Sequence, residues 1–376
     1  MAVLTTGRQD WGILRGLCKL LEQDAGFELR LMVGGMHNSS FFGRTKDIII
    51  EEGFKISEEL GWVPDAPPLL PHIQAGDALR LVAQALQRQR PDALVLLGDR
   101  FETAAAALAA TLERVPLIHL HGGEETLGAM DNALRHAITK LSHLHFTSHP
   151  IHAARVIALG EDPATVHVVG APGLDNLHRD DIPSREALEA HLGIPLHPPV
   201  VLVTLHPATL SADLATEVSA VTQAMQTVNA TYVITLPNSD PGNEAIRAAM
   251  IKAADSPNSV AVEALGEKRF WSLMRESDAM LGNSSSAIIE APALGLPAVN
   301  VGDRQKGRVR GSNVLDAKPE AGSIAAALRQ ALSSEFRAAA HRAPSPFGNG
   351  DASQRMMDVL RRWIPPHPPL KTSILV

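Results

Sequence analysis

The sequence is poor in several things, and each shortage excludes a class of protein. Among 376 residues there is one cysteine, Cys18. One thiol builds neither an intrachain disulfide framework nor a cysteine-based zinc site, which points to a reducing, cytoplasmic compartment. There is no excess of basic charge. Lys and Arg number 34 against 41 Asp and Glu, a net charge of −7. A protein whose main partner is a nucleic acid usually carries a basic footprint, so none is expected here. No apolar run approaches the ~18 residues that span a bilayer, so no membrane partner is expected either. Met1–Thr6 lacks the basic start and long apolar stretch of a secretory signal. The phosphate loop GxxxxGK(S/T), the dinucleotide fingerprint GxGxxG and the nucleophile elbow GxSxG are also missing. ATPase, nicotinamide oxidoreductase and serine hydrolase readings thereby lose their usual support. His119 and His121 share one face of a predicted strand, but no HExxH motif or cysteine ligand set completes a zinc site, so no metal and no cofactor is expected.

What is present is ample apolar surface. Hydrophobic residues make up 45% and charged residues 20%, the balance of a folded chain with a large core. Short Val/Ile/Leu-rich runs recur, each followed by turn residues and a helical pattern. In the first half they are Ala2–Thr5, Glu28–Val33, Ala93–Leu97, Leu117–His121, His143–Thr147 and Val166–Val169. In the second they are Val200–Thr204, Tyr232–Leu236, Ser259–Val262, Ala279–Leu281 and Ala298–Val301. Most lack polar/apolar alternation, as expected of strands buried on both faces. Strands alternating with helices predict parallel sheets and an α/β fold. A charged, proline-ended stretch at His178–Pro183 marks a boundary near residue 180. The expected organisation is a domain over 1–180, a second over 181–350, and a C-terminal helix and tail over 351–376 that packs back on the first.

Open parallel sheets bind ligands beyond the carboxyl ends of their strands, so the turns there are read first. Asp99 and Arg100 leave one strand together, and Glu124 leaves the next after Gly122-Gly123. Asp131 opens a helix that carries Arg135 and His136; it serves either as an N-cap or as a third carboxylate beside Asp99 and Glu124. Carboxylates crowded in a partly dry cleft raise one another's pKa and act as general acid and base. In the second half, His206 and Asn238 occupy comparable strand exits. The segment Gly282-Asn283-Ser284-Ser285-Ser286 passes from a strand into a helix, and free backbone N–H groups and hydroxyls there suit a diphosphate. Glu290 follows about one turn later, in reach of ribose hydroxyls, while Pro292 is expected to shorten or kink that helix. The basic loop Gly302–Arg308, with Arg304, and the junction Thr6–Gly12, with Arg8, are further phosphate candidates.

Several of these pieces carry a resemblance. They are TGRQDWG at Thr6–Gly12, GMH at Gly35–His37, GDR at Gly98–Arg100 and HGGEETLGAMDNALRHAITKLSHLHF at His121–Phe146. VGAPGLDNL at Val169–Leu177, LHP at Leu205–Pro207, GNSSSAIIEAPALGLP at Gly282–Pro297 and GDRQKGR at Gly302–Arg308 follow. In this order they resemble the hydrolysing UDP-N-acetylglucosamine 2-epimerases of bacterial sialic-acid and legionaminic-acid synthesis. The resemblance implies two Rossmann-like domains facing a central cleft, as in the glycosyltransferase-B architecture, with UDP held mainly by the second. It implies elimination of UDP to a 2-acetamidoglucal, then hydration to N-acetylmannosamine. It makes Asp99, Glu124 and Asp131 acid/base residues, with His206 and Arg8 on the diphosphate. Asn283, Ser284, Ser285 and Arg304 would assist there, with Glu290 on the ribose and Arg100, His136 and Asn238 at the sugar. The expected partner is a small nucleotide sugar, and a homodimer or homotetramer is expected. The same reaction on a UDP- or GDP-linked 2,4-diacetamido-2,4,6-trideoxy sugar is the alternative. A glycosyltransferase and a non-catalytic nucleotide-sugar binding protein are the more distant ones.

Overall fold

The computed structural model describes residues 1–65, 70–125, 131–206, 214–237, 243–263 and 265–371, with backbone alone at 214. The chain forms two compact units. One comprises Met1–Asn176 with Gly348–Val376, and the other Leu177–Phe347.

The first unit is built on seven strands: β1 (Ala2–Thr5), β2 (Arg30–Gly34), β3 (Ile56–Leu60), β4 (Leu94–Leu97), β5 (Leu117–Leu120), β6 (Leu144–Thr147) and β7 (Val166–Val168). Their order is β3-β2-β1-β4-β5-β6-β7, all parallel. The strand residues alternate between two cores. Val3, Leu31, Val33, Val95, Ile118 and Phe146 pack under the helix Arg8–Gln23. Leu4, Met32, Leu94, Leu96 and Leu117 pack under the helices Pro71–Gln89 and Phe101–Leu112. The helix Ala352–Leu360 returns to this unit and places Met356, Met357 and Leu360 against Leu14, Leu17 and Cys18. Each such buried side chain contributes roughly 1.5–3 kcal/mol, which fixes the returning helix. Cys18 is fully buried there, and burial pushes its thiol pKa up, so it is a core residue.

The second unit has six parallel strands: β8 (Val200–Thr204), β9 (Thr231–Thr235), β10 (Ser259–Val262), β11 (Ala279–Gly282), β12 (Ala298–Val301) and β13 (Val314–Ala317). Their order is β10-β9-β8-β11-β12-β13. The α/β class and the two Rossmann-like units expected from the sequence are what the chain adopts. The sequence reading omitted β3 and β13. Both lie at sheet edges, and their residues (ISEEL and VLDA) mix charge with apolar side chains. Glu58, Glu59 and Asp316 interrupt the apolar runs by which the other strands are read.

Each sheet reverses its winding once, between β1 and β4 in the first unit and between β8 and β11 in the second. Such a switch point leaves a crevice at the strand ends, where ligands bind in folds of this kind. Among the described residues no helix is long and apolar enough to cross a membrane.

Candidate active site

The first unit's switch point gathers Thr6-Gly7-Arg8 after β1 and Gly98-Asp99-Arg100 after β4. Buried Asp10 accepts from the Thr6 backbone N–H at 3.0 Å and from its hydroxyl at 2.5 Å, which ties the end of β1 to the first turn of the next helix. Burial pushes the Asp10 carboxyl pKa up, against the pull of those bonds. Arg8 is exposed beside it. Arg100 forks onto buried Glu102, with its shortest contact at 2.7 Å.

Asp99 is ion-paired with Arg135, which comes from the helix Asp131–Leu141 and is almost fully buried. The same guanidinium donates through Nη1 to the backbone carbonyl of Glu124 and, at 3.0 Å, to Asn132 Oδ1. One side chain thus holds the exits of β4 and β5 together. Asp131 lies one turn before Arg135, so both occupy the same helix face. Asp131 and His136 are half-buried, and His136 Nδ1 is buried without a hydrogen-bond partner among the described residues. Residues 126–130, between Glu125 and Asp131, lie outside the described residues.

His119 stands in the middle of this arrangement. Its Nε2 lies 2.8 Å from the Gly98 carbonyl and its Nδ1 3.2 Å from Thr139 Oγ1. Burial lowers its pKa to about 3, so it is neutral and fastens the Asp99 turn to the helix carrying Arg135. His121 is expected to share its strand. Instead β5 ends at Leu120, and His121 turns away with φ +63°. Its Nδ1 lies 2.6 Å from Glu124 Oε1, which also accepts from Ser148 Oγ at 2.8 Å. Ser148 Oγ is in turn 2.9 Å from His152 Nδ1. Gly123, at φ +76°, permits this contact: a Cβ there would fall 2.1 Å from the His152 carbonyl oxygen.

In the second unit the switch point is equally specific. Gly282 has φ +136°, and a Cβ on it would fall 2.0 Å from the Thr204 carbonyl oxygen, so only glycine fits. Asn283 follows and is fully buried. Its Oδ1 accepts from the His206 N–H at 2.8 Å, and its Nδ2 donates to the His206 carbonyl at 2.9 Å and to Glu217 Oε1 at 3.3 Å. Its own carbonyl accepts from Arg304 Nη1 at 2.9 Å and Gln305 Nε2 at 2.8 Å. Expected to touch ligand, the Asn283 side chain is instead spent inside the protein, where it joins the loops of His206 and Arg304. Glu217 is nearly fully buried, and burial pushes its pKa up, while Asn283 and Arg304 favour its charged form.

Ser284 is buried and accepts from the Ser286 N–H at 3.3 Å; Ser285 is half-buried at the N-cap position of the next helix, and its hydroxyl makes no capping bond. That helix, Ser286–Ile289, has four residues and ends before a 3-10 turn, Ala291–Leu294, which contains Pro292. The helix is short, as the position of Pro292 predicts. One turn carries little macrodipole, so an anion here would be held by individual N–H groups, hydroxyls and Arg304. Glu290 is half-buried at the junction of the two turns. Asn238 lies outside the described residues.

Sequence reasoning did not single out Arg135, Ser148, His152 or Glu217. Arg135 had a signal, its four-residue spacing from Asp131; the others appear only once distant segments pack. Among the described residues no group of three or more His, Cys, Asp or Glu is placed to hold a metal ion.

Residues 19–361 match the sequence model of the family described as UDP-N-acetylglucosamine 2-epimerase. The chain belongs to the UDP-N-acetylglucosamine 2-epimerase family. Within this family it is 34% identical to the UDP-N,N'-diacetylbacillosamine 2-epimerase (hydrolyzing) of Legionella pneumophila, over 97% of this chain and 96% of the relative. It is 33% identical to the GDP/UDP-N,N'-diacetylbacillosamine 2-epimerase (hydrolyzing) of Campylobacter jejuni, over 90% and 88%. The crystal structure of a UDP-GlcNAc 2-epimerase from Neisseria meningitidis bound to UDP-GlcNAc has a TM-score of 0.76 at 19% identity, over 96% of this chain and all of that one. At that identity the likeness is one of fold.

Proposed function

We propose that this protein is a hydrolysing nucleotide-sugar 2-epimerase that converts UDP-N-acetylglucosamine to N-acetylmannosamine and UDP. The observation that carries the reading is Arg135 holding Asp99 and the Glu124 backbone together, one helical turn from Asp131. The C2 hydrogen of an N-acetylhexosamine is weakly acidic. Its removal needs positioned bases and a well-stabilised leaving group. Asp99, Glu124 and Asp131 form the acid/base set, with Arg100 and His136 toward the sugar. Arg8, His206, Ser284, Ser285 and Arg304 take the diphosphate, Asn283 holds His206 and Arg304 in place, and Glu290 takes the ribose. Asn238 is assigned to the sugar on the sequence resemblance.

The C2 proton leaves as the C1–O bond to UDP breaks, which gives a 2-acetamidoglucal. Water then adds at C1, and a proton returns to C2 on the opposite face. A second substrate reading follows from the Legionella and Campylobacter relatives, whose names specify diacetylbacillosamine: the same steps on a UDP- or GDP-linked diacetamido-trideoxy sugar. The reading also takes the enzyme to be a cytoplasmic homodimer or homotetramer, which sedimentation tests.

The decisive experiment runs the protein in heavy water with each nucleotide sugar. UDP release with deuterium at C2 of an inverted free sugar is expected. Release without deuterium would mean simple hydrolysis and would reject the proposal.

A further inference from the structure

Counting protons around Glu124 leads past the carboxylates. Ser148 Oγ donates to Glu124 Oε1, and His121 Nδ1 lies 2.6 Å from the same oxygen. An ionised carboxylate has no proton to give, so His121 Nδ1 carries the hydrogen of that bond. The Ser148 hydroxyl has one hydrogen, already given to Glu124. It therefore accepts from His152 Nδ1–H at 2.9 Å. Burial lowers the His152 pKa to about 4, which keeps that ring neutral. The chain runs His152 to Ser148 to Glu124, and His121 to Glu124.

The consequence lies at the far end of His121. With Nδ1 protonated, the neutral ring has its lone pair on Nε2. That nitrogen is buried and has no hydrogen-bond partner among the described residues. His119, two residues earlier, differs: both of its ring nitrogens have partners. A carboxylate on one imidazole nitrogen fixes the tautomer and stabilises the imidazolium formed when the other takes a proton. His121 also holds φ +63°, a strained conformation for a non-glycine residue, and such strain concentrates at functional sites.

We propose that His121 Nε2 is the base that removes the C2 proton, and that Glu124 takes its part in the acid/base set through His121, as a positioning residue that exchanges no proton with the substrate itself. The proposal rests on the 2-epimerase reading above. In this step Nε2 takes the C2 hydrogen as a proton. The C2–H electron pair becomes the C1–C2 π bond, and the C1–O pair leaves with UDP. In hydration the water oxygen bonds to C1 and one water proton is released. The π pair accepts a proton at C2 from a different group on the other face, for which Asp131 is the candidate. The charged and titratable groups around His121 are Glu124 on its own loop and His119 on β5. His152 and Arg155, with Glu125 paired to Arg155, come from the helix Pro150–Ala158, and Arg135 from the helix Asp131–Leu141.

The test compares wild type, His121→Asn, Glu124→Gln and Ser148→Ala in kcat, in the acid limb of kcat/KM against pH, and in UDP affinity. Asn tolerates left-handed φ, so His121→Asn keeps the backbone turn. It is expected to lose roughly 10²-fold or more in kcat while UDP affinity stays within about threefold. Glu124→Gln is expected to keep part of the rate, with the acid limb moved to lower pH because the amide no longer stabilises the imidazolium. Ser148→Ala removes one donor from Glu124 and moves the limb the other way; this pair of shifts carries the test if His121→Asn melts early. Near-wild-type turnover in His121→Asn, or acid limbs unmoved in both other variants, overturns the assignment. So does accumulation of the 2-acetamidoglucal in His121→Asn, which would place His121 in hydration. A wild type that releases no UDP from any nucleotide sugar rejects the 2-epimerase reading itself, and this assignment with it.

Discussion

Asn283 and His206 bond each other twice, side-chain amide to backbone peptide, at 2.8 and 2.9 Å. The pairing of β8 with β11 ends where Gly282 meets Thr204, and the Asn283 side chain carries it one step further. His206 is thus placed by a neighbouring strand and not by its own loop alone. Replacing Asn283 with Ala removes both of these bonds from the part-buried His206 peptide. The expected cost is about 2–3 kcal/mol of stability. UDP affinity should fall about tenfold, as His206 and Arg304 lose their common anchor. Urea denaturation and titration calorimetry with UDP read the two effects separately; unchanged affinity would deny Asn283 this role.

Arg135 invites a different substitution. Its planar fork reaches the Asp99 carboxylate and the Glu124 carbonyl together, and a lysine ammonium offers no such fork. Arg135→Lys keeps the charge and loses the second contact. A fall in kcat of tenfold or more is expected, with UDP affinity little changed, because the residues proposed for the diphosphate lie mainly in the second unit. Equal losses in both would mean that Arg135 serves the fold as a whole.

The unequal legibility of these two sites has a physical origin. Strands buried on both faces announce themselves, so β1, β8 and β12 have the boundaries their apolar runs predict. The turns after them carry Asp99, Glu124 and Ser285, which local spacing brings into view. Connections between turns are not written locally. Ser148 and His152 join the Glu124 turn where Gly123 lets the helix Pro150–Ala158 close in. Asn283 looked like a ligand residue from its Gly/Ser loop, and only packing shows that its amide faces His206. Glu217 sits in a helix with no unusual pattern, and its burial depends on Asn283 and Gly302 from two other loops.

The diphosphate assignment rests on Ser285 and Arg304. Arg304 is fastened to the Asn283 carbonyl at 2.9 Å, so its guanidinium stays beside the serine loop. The double variant Ser285→Ala, Arg304→Ala is expected to weaken UDP binding by 10- to 100-fold, on the order of 1.4–3 kcal/mol. It should also flatten the salt dependence of binding, since a positive charge has gone. Wild-type affinity with wild-type salt dependence would move the phosphates to another part of the chain.

Acid should destabilise this protein before its carboxylates titrate. His37, His119 and His152 are buried, and burial lowers their pKa values to about 4, 3 and 4. An unfolded histidine titrates near 6.5. Below that pH the unfolded chain takes up protons that the folded chain refuses. The stability these residues contribute is therefore complete above pH ~6.5 and is lost as pH falls toward 4. Each unmatched proton gives a slope of about 1.4 kcal/mol per pH unit, so three give about 4 near pH 5. Below pH ~4.5 a carboxylate adds a loss of the same sign. Burial alone would raise the pKa of Glu161, but bonds from His145, Lys140 and Lys371 outweigh it and hold the value at about 2. Urea denaturation at pH 7.5, 6.5, 5.5 and 4.5 should show a steep decline over the lower three values. His152→Gln should reduce that slope by about 1.4 kcal/mol per pH unit, because one refused proton has been removed. A stability profile flat from pH 7.5 to 5 would mean that these histidines accept protons in the folded state. The neutral tautomers assigned to His119 and His152 would then have to be withdrawn.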